Sequence, residues 1–117
     1  MADIVIKAAY GSVVEEDGTL FVGFAEGEEE DEPYVLFSQP LAGGPVRLEV
    51  NDEGFAAEDA VAAARLGPKG LELTITPGME RHFGWAGSIA VRIGPGCEDA
   101  DAAIDALRGL LGARLQA

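Results

Sequence analysis

A run of acidic residues between two alternating apolar segments is the feature that most constrains how this chain folds. Residues 28–32 are all Glu or Asp, and the segments 19–25 and 33–39 on either side carry the alternation typical of β-strands. An acidic tract at a terminus is typical of a disordered tail, whereas this tract joins two strands. The sequence therefore predicts that the fold holds this charge on a loop.

Composition favours one folded domain with an acidic surface. A chain of 117 residues with 48% apolar and 25% charged residues is sufficient for one core, and we expect a single domain over residues 1–117. The formal net charge of −13 argues against nucleic acid or an anionic membrane as a direct partner, because both repel such a surface. A cationic partner is compatible with this charge, and so is a role in solubility alone.

Cysteine content and the amino-terminal residues favour a reducing compartment. Cys97 is the only cysteine, so an intramolecular disulfide and a four-cysteine zinc site are both excluded. The first residues lack the basic and long apolar regions of a signal peptide, and no stretch approaches the length of a membrane span. We therefore expect a cytoplasmic protein with no membrane segment.

The chain alternates between strand patterns and turn residues. Asp17-Gly18 is typical of a tight hairpin turn, and residues 67–70 form a second turn signal. Residues 58–66 are ambiguous, because their alanines favour a helix while the segment is barely long enough to form one, and a strand in a hairpin is slightly favoured. Residues 79–83 indicate a short helical turn. The predicted strands cover residues 4–10, 19–25, 33–39, 46–50, 71–76 and 88–93.

The end of the chain has the clearest helical pattern. Acidic Glu98, Asp99 and Asp101 precede basic Arg108 and Arg114, which matches the helix dipole. We expect an α+β fold, a mostly antiparallel β-meander of about six to seven strands with a C-terminal helix packed on it. The apolar positions that share one face of this helix are Ala100, Ile104, Leu107, Leu111 and Leu115.

Two acidic loops are predicted to share one end of this meander. Loops of a simple meander alternate between the ends of the sheet, which places residues 26–32 and 51–59 together. The expected acidic rim consists of Glu26, Glu28, Glu29, Glu30, Asp31, Glu32, Asp52, Glu53, Glu58 and Asp59.

Motifs for catalysis, metals or cofactors are weak in this sequence. No glycine near the acidic segments has the carboxylate ligands of an EF-hand loop around it. Residues 94–96 fit a turn better than a phosphate nest, because acids follow them. His82 lacks a nucleophile nearby, and we expect Cys97 to be inert. We expect neither an enzyme nor a bound cofactor or metal.

Aromatic residues near the acidic segments suit a partner surface. Tyr34 and Phe55 border the two acidic loops, where an aromatic ring beside carboxylates fits a basic, partly apolar partner. Met79, Phe83 and Trp85 could form an exposed binding patch, but we expect them to pack in the core.

The order of segments resembles the immunity protein 10 family of bacterial polymorphic toxin systems. The similarity covers roughly residues 4–76 and rests on LFVGFA at 20–25, PYVLFSQ at 33–39, VRLEVNDE at 46–53 and LEL at 71–73. The chain departs from the family after Gln39, where it is shortened and rich in Gly and Pro. The resemblance implies a cytoplasmic inhibitor that binds a cognate protein toxin without catalysis, and it implies a strand at residues 61–66.

An acidic rim suits such a role, because many toxins that act on nucleic acids are basic. The sequence indicates neither the chemistry of the toxin nor an oligomeric state. The candidate partner-binding residues are Glu28, Glu29, Glu30, Asp31, Glu32, Tyr34, Asp52, Glu53 and Phe55.

Two other functions remain open at this point. An acidic adaptor or secretion chaperone is also a small acidic α/β protein, but such chaperones open with an amphipathic helix and this chain opens with a strand pattern. An enzyme requires a deep pocket that gathers His82 with two carboxylates.

Overall fold

The first hairpin follows from the chemistry of its two-residue turn. Strand β1 (Ile4–Glu16) pairs antiparallel with β2 (Thr19–Ala25), and Asp17 and Gly18 join them with φ of 52° and 76°. Asp and Gly accept this left-handed backbone, which matches the twist of the flanking strands. The computed structural model describes residues 2–29 and 31–116. It extends β1 six residues beyond the predicted strand, through an exposed segment whose alternation is weak.

The meander continues through three more strands. After the acidic loop come β3 (Tyr34–Pro40), β4 (Arg47–Val50) and β5 (Asp52–Glu58), each antiparallel to the one before. The expectation of a loop at residues 51–59 is wrong. Asn51 alone makes the turn, with φ of 64°, and β5 is an edge strand whose acids face solvent.

The second half of the sheet is a hairpin followed by a longer strand. Strands β6 (Val61–Gly67) and β7 (Gly70–Ile75) pair antiparallel, and β7 pairs antiparallel with β8 (Ser88–Glu98). Residues 61–66 are thus strand and not helix, and Asp59 and Ala60 link β5 to β6. The predicted short helical turn is a 3-10 helix at Glu80–Phe83. A Cβ atom on Gly70 would lie 2.1 Å from the Val91 carbonyl oxygen, so only glycine fits at the end of this hairpin.

The sheet differs from the predicted meander in strand number and in direction. Within residues 2–29 and 31–116 it has nine strands in the order β5-β4-β3-β2-β1-β8-β7-β6-β9, where β9 is Leu115–Gln116. β1 is parallel to β8, and β6 is parallel to β9. The prediction of six to seven antiparallel strands is therefore wrong, while the α+β class with a mostly β sheet is correct. The parallel pairs join segments far apart in the chain, so local sequence patterns do not reveal them.

The sheet curls back on itself. β5 and β6 are seven strand spacings apart in this order, about 34 Å in a flat sheet, whereas the chain passes from the end of β5 to the start of β6 in three peptide steps, at most about 11 Å. Backbone hydrogen bonds hold this corner: Asp59 donates to the Val46 carbonyl and Thr76 to the Ala60 carbonyl. The inner face of the curl holds buried Phe24, Phe37 and other apolar side chains of the core.

Helix α1 (Ala100–Leu111) packs against β1 and β2 on this inner face. It begins after Asp99 and ends at Gly112, which has φ of 55°, and a 3-10 helix at Gly112–Arg114 leads into β9. The predicted helix was thus too long, and Glu98 belongs to β8. Ala100 and Ile104 of the predicted face are only partly buried. The residues of α1 that are buried are Ala103, Leu107, Leu110 and Leu111.

No helix in the part of the chain that the structure describes is long and apolar enough to cross a bilayer.

Candidate functional site

Two turns meet at one end of the meander, as the alternation of its loops predicts. The loop between β2 and β3 is closed by a hydrogen bond from the Glu26 amide to the Pro33 carbonyl, 2.9 Å. Asn51, in the turn between β4 and β5, lies beside the first residue of β3, Tyr34. Its amide donates to the Tyr34 carbonyl at 3.0 Å, and its Oδ1 accepts from the Tyr34 amide at 2.9 Å. These bonds fix the positions of both turns relative to the start of β3.

A depression of about 550 Å³ lies between the two turns. Five carboxylates line it and, among the described residues of its lining, no Lys or Arg does. Arg47, outside the lining, pairs with one of the five, Glu49, and the other four carboxylates give this concave surface a negative potential. The lining consists of Ala25, Gly27, Glu29, Glu32, Tyr34, Glu49, Asn51, Asp52 and Glu53. We call it the acidic depression.

A β-bulge brings part of this charge into place. β4 and β5 pair regularly from Arg47 and Glu58 to Glu49 and Ala56, but Val50 then pairs with Asp52. Residues 53–55 therefore leave the ladder, and the Gly54 amide donates to Asp52 Oδ1 at 2.9 Å. Bulges of this kind redirect side chains at the end of a sheet. The bulge allows Glu53 to line the depression beside Asp52.

The wall of the depression contains a hydrogen-bonded chain of three polar side chains. The Tyr34 hydroxyl donates to Glu49 Oε2, and Arg47 Nη1 lies 2.7 Å from Glu49 Oε1. The Glu49 side chain is only 10% exposed, whereas the Arg47 side chain is 40% exposed. Both carboxylate oxygens of Glu49 have a donor, so this buried charge is paired and hydrogen-bonded.

The surroundings of Tyr34 keep its hydroxyl protonated. Burial raises the pKa of Tyr34 above its ordinary value, and the hydrogen bond to Glu49 raises it further. The negative charges of Glu49, Asp52 and Glu53 act in the same direction, because they disfavour a phenolate. Tyr34 is therefore a neutral hydrogen-bond donor near neutral pH, and its ring is fixed in orientation at the edge of the depression.

The structure brings together part of the predicted acidic rim and of the candidate partner-binding residues. Glu29, Glu32, Tyr34, Asp52 and Glu53 line the depression. Glu28 lines an adjoining groove, and Asp31 and Phe55 lie outside the lining, with Phe55 45% exposed near the bulge. Glu30 lies outside the described residues.

The remaining rim residues are elsewhere or have another partner. Glu58 and Asp59 lie at the opposite end of β5, because that segment is a strand and not a loop. Glu26 Oε2 accepts a hydrogen bond from the Lys7 amide at 2.8 Å. The predicted acidic rim is therefore wider than the acidic depression in the structure.

Two site residues were missed from the sequence. The alternation of apolar and charged residues over 46–50 predicts that Glu49 faces away from the core. That face is correct, but Tyr34 and Arg47 enclose Glu49 there. Asn51 was assigned only to a turn. A sequence signal did exist for Asn51, since Asn tolerates the left-handed backbone better than other residues with a side chain.

Candidates away from the depression show less organisation. Burial raises the pKa of the half-buried Cys97 thiol, which disfavours the reactive thiolate. Phe83 is buried and Met79 packs against the core, as expected. Trp85 is 77% exposed, so its predicted core position is wrong. Among residues 2–29 and 31–116, no three His, Cys, Asp or Glu side chains are grouped so as to hold a metal ion.

Comparison of the chain with protein-family models, with curated proteins and with solved structures gave no match.

Proposed function

We propose that this protein is a non-catalytic, cytoplasmic immunity protein that binds and neutralises a cognate basic toxin through the acidic depression. The observation that carries the proposal is the gathering of Glu29, Glu32, Asp52 and Glu53 from two separate turns around one concave surface. The resemblance of the segment order to the immunity protein 10 family supplies the class of partner.

The charge arrangement suits the capture of a cationic protein. A cleft lined by one sign of charge attracts the opposite sign from a distance and accelerates diffusional encounter. A concave site also lets a Lys or Arg side chain contact several carboxylates at once. In a toxin that cleaves nucleic acid, the residues that hold phosphate are basic, so carboxylates placed there occupy the position of the substrate.

The polar chain behind the depression supports binding more than catalysis. Tyr34 is held protonated and bonded to Glu49, and Arg47 neutralises Glu49, so these groups are engaged with each other. A general base requires a group free to accept a proton near neutral pH. We infer that this chain of side chains makes the wall of the depression rigid before the partner arrives.

Growth rescue tests the proposal directly. The gene immediately upstream of this one is expressed in a host cell with and without this protein. We expect expression of the upstream gene alone to arrest growth, and co-expression to restore it. An upstream product that is harmless, or toxicity that persists at equal expression of both proteins, would contradict the proposal. Dependence of secretion on this protein would favour an adaptor or secretion chaperone instead.

A matched pair of variants connects rescue to the depression. The depression variant carries Glu29→Gln, Glu32→Gln, Asp52→Asn and Glu53→Gln. The control variant carries Glu15→Gln, Glu16→Gln, Glu72→Gln and Asp105→Asn, on exposed residues outside the lining. Each variant removes four negative charges, so any difference in rescue comes from position and not from net charge. We expect the depression variant to lose rescue and the control variant to retain it.

A further inference from the structure

The meander exposes a second surface beside the acidic depression. Directly paired residues of neighbouring strands lie on the same face of a sheet. Gly11 pairs with Phe24 and Phe24 with Val35, and this face carries the core and α1. A Cβ atom on Gly11 would lie 3.0 Å from Ala103 Cβ of the helix. The neighbouring rows of residues point to the other face, away from the core.

An open groove of about 310 Å³ runs along that other face. One row of paired residues is Tyr10, Ala25 and Tyr34, and the next includes Gly23 and Leu36. The side chains along the groove are mainly apolar or aromatic. The groove meets the acidic depression, because Ala25, Gly27 and Tyr34 line both.

Gly23 lies at the floor of this groove. It is in the middle of β2, where a strand gains from a β-branched residue and glycine has a conformational cost. A Cβ atom on Gly23 would lie 3.0 Å from Ser12 Oγ and 3.4 Å from Leu36 Cδ1. The side chains of Ser12 and Leu36 thus pack closely over Gly23, and a larger residue at this position would displace them into the groove.

Charge decides which occupant fits the combined surface. A second copy of this chain placed on the groove in a two-fold dimer would bring two acidic depressions together, and like charges would repel. Nucleic acid and anionic lipid are repelled for the same reason. An apolar side chain in the groove leaves the acids free to bind a cation. The surface is therefore complementary to a protein segment with an apolar side chain next to a Lys or Arg.

We propose that the groove over Gly23 receives an apolar side chain of the partner protein, while an adjacent Lys or Arg of the same segment enters the acidic depression. This inference rests on the proposed function and names the segment that the site recognises. The two parts of the surface then act on different steps of binding. The carboxylates set the rate of association, and the groove sets the rate of dissociation, because an apolar contact forms only after docking.

Two groove variants with matched controls test the proposal. Gly23→Val fills the groove, and Leu36→Ala removes apolar surface from it; neither changes the charge. Gly67→Val is the control for the first. Gly67 lies in β6 and outside the groove, and a Cβ atom there meets open space. Leu41→Ala is the control for the second, because Leu41 is 56% exposed beyond the other end of β3. Association and dissociation rates are measured by surface plasmon resonance with the purified product of the upstream gene.

We expect both groove variants to dissociate about 10-fold faster or more, with association rates and their salt dependence unchanged and both controls like the wild type. Circular dichroism and thermal unfolding establish folding, and if Gly23→Val fails to fold, Leu36→Ala decides. A folded groove variant that dissociates at the wild-type rate, while the depression variant loses association, would overturn this inference and leave the proposed function intact. Failure of the wild type to bind the upstream product would refute the proposed function itself.

Discussion

The pairing of Tyr34, Glu49 and Arg47 shows how single residues prepare the site. Glu49 is a carboxylate on the face of β4 that points away from the core, yet it is almost completely enclosed. A buried charge is tolerated only when it is paired and hydrogen-bonded, and each oxygen of Glu49 meets this condition. Its two partners come from the start of β3 and from β4 itself, so the bonds hold these strands at the edge of the acidic depression.

At this scale we predict a stability effect of Tyr34→Phe that depends on pH. At pH 8 the variant leaves Glu49 without one donor, and we expect its free energy of unfolding to be lower by about 1–3 kcal/mol. Below pH 10 Tyr34 is protonated in the folded and unfolded states, so its contribution is fully present. Above pH 10 the unfolded tyrosine ionises first, because folding raises the pKa of Tyr34. Deprotonation then favours unfolding.

Urea denaturation at pH 8 and at about pH 10.5 checks this prediction. We expect the difference between wild type and variant to narrow at the higher pH, since only the wild type loses the contribution of Tyr34. A difference that stays constant or widens would show that the hydroxyl of Tyr34 is not held protonated by the fold.

At the scale of elements, the strands were most predictable where apolar, aromatic and β-branched residues are concentrated between turn signals. β2, β3 and β7 were located within a residue or so, because β2 and β3 are short, mainly apolar runs and because apolar and polar residues alternate along β7. β5 was missed because its residues, DEGFAAE, have turn chemistry at the start and small side chains at the end. An edge strand with a bulge needs little apolar alternation, so its pattern is hard to recognise.

The carboxyl end of the helix was misjudged for a different reason. Leu115 continues the helical spacing in the sequence, but Gly112 takes a left-handed φ of 55° and ends the helix, and Leu115 then pairs with β6. A glycine after several apolar helical turns is typical of a helix end.

The contact between β1 and α1 gives a prediction at this scale. A Cβ atom on Gly11 would lie 2.9 Å from the Asp99 carbonyl oxygen, a backbone atom that cannot move without displacing the helix. We expect Gly11→Ala to lower the free energy of unfolding by about 1–3 kcal/mol. Gly94→Ala in β8 is the control, because a Cβ there meets open space, and we expect a change within about 0.5 kcal/mol. Equal stability of the two variants, by chemical denaturation, would contradict the close packing of α1 on β1.

At the scale of the whole molecule, the sequence indicated the class of the fold and the end of the sheet where acids meet, but not the topology. The pairing of β1 with β8 joins residues 85 to 88 positions apart, and no local pattern specifies such a contact. The acidic depression was predictable in outline because hairpin turns alternate between two ends of a meander. The extent of the site was not, because it depends on the edge strand β5 and its bulge.

The net charge of −13 belongs to this scale as well. Much of it is distributed over exposed positions, where it raises solubility and repels nucleic acid. Binding is proposed only for the part of this charge that lies in the acidic depression. If total charge alone attracted the partner, the attraction would be the same wherever the acids lie. Attraction by the acidic depression depends on the position of its carboxylates and weakens as ionic strength rises.

The most direct test of the central claim is the association rate constant with the upstream product, measured by stopped-flow from about 20 to 500 mM salt. The wild type, the depression variant and the control variant are compared. We predict that the wild-type and control rates fall steeply with salt, while the depression variant associates about 10-fold more slowly at low salt and depends weakly on it. Equal rates and equal salt dependence for the two variants would show that the acidic depression has no special role in capturing the partner.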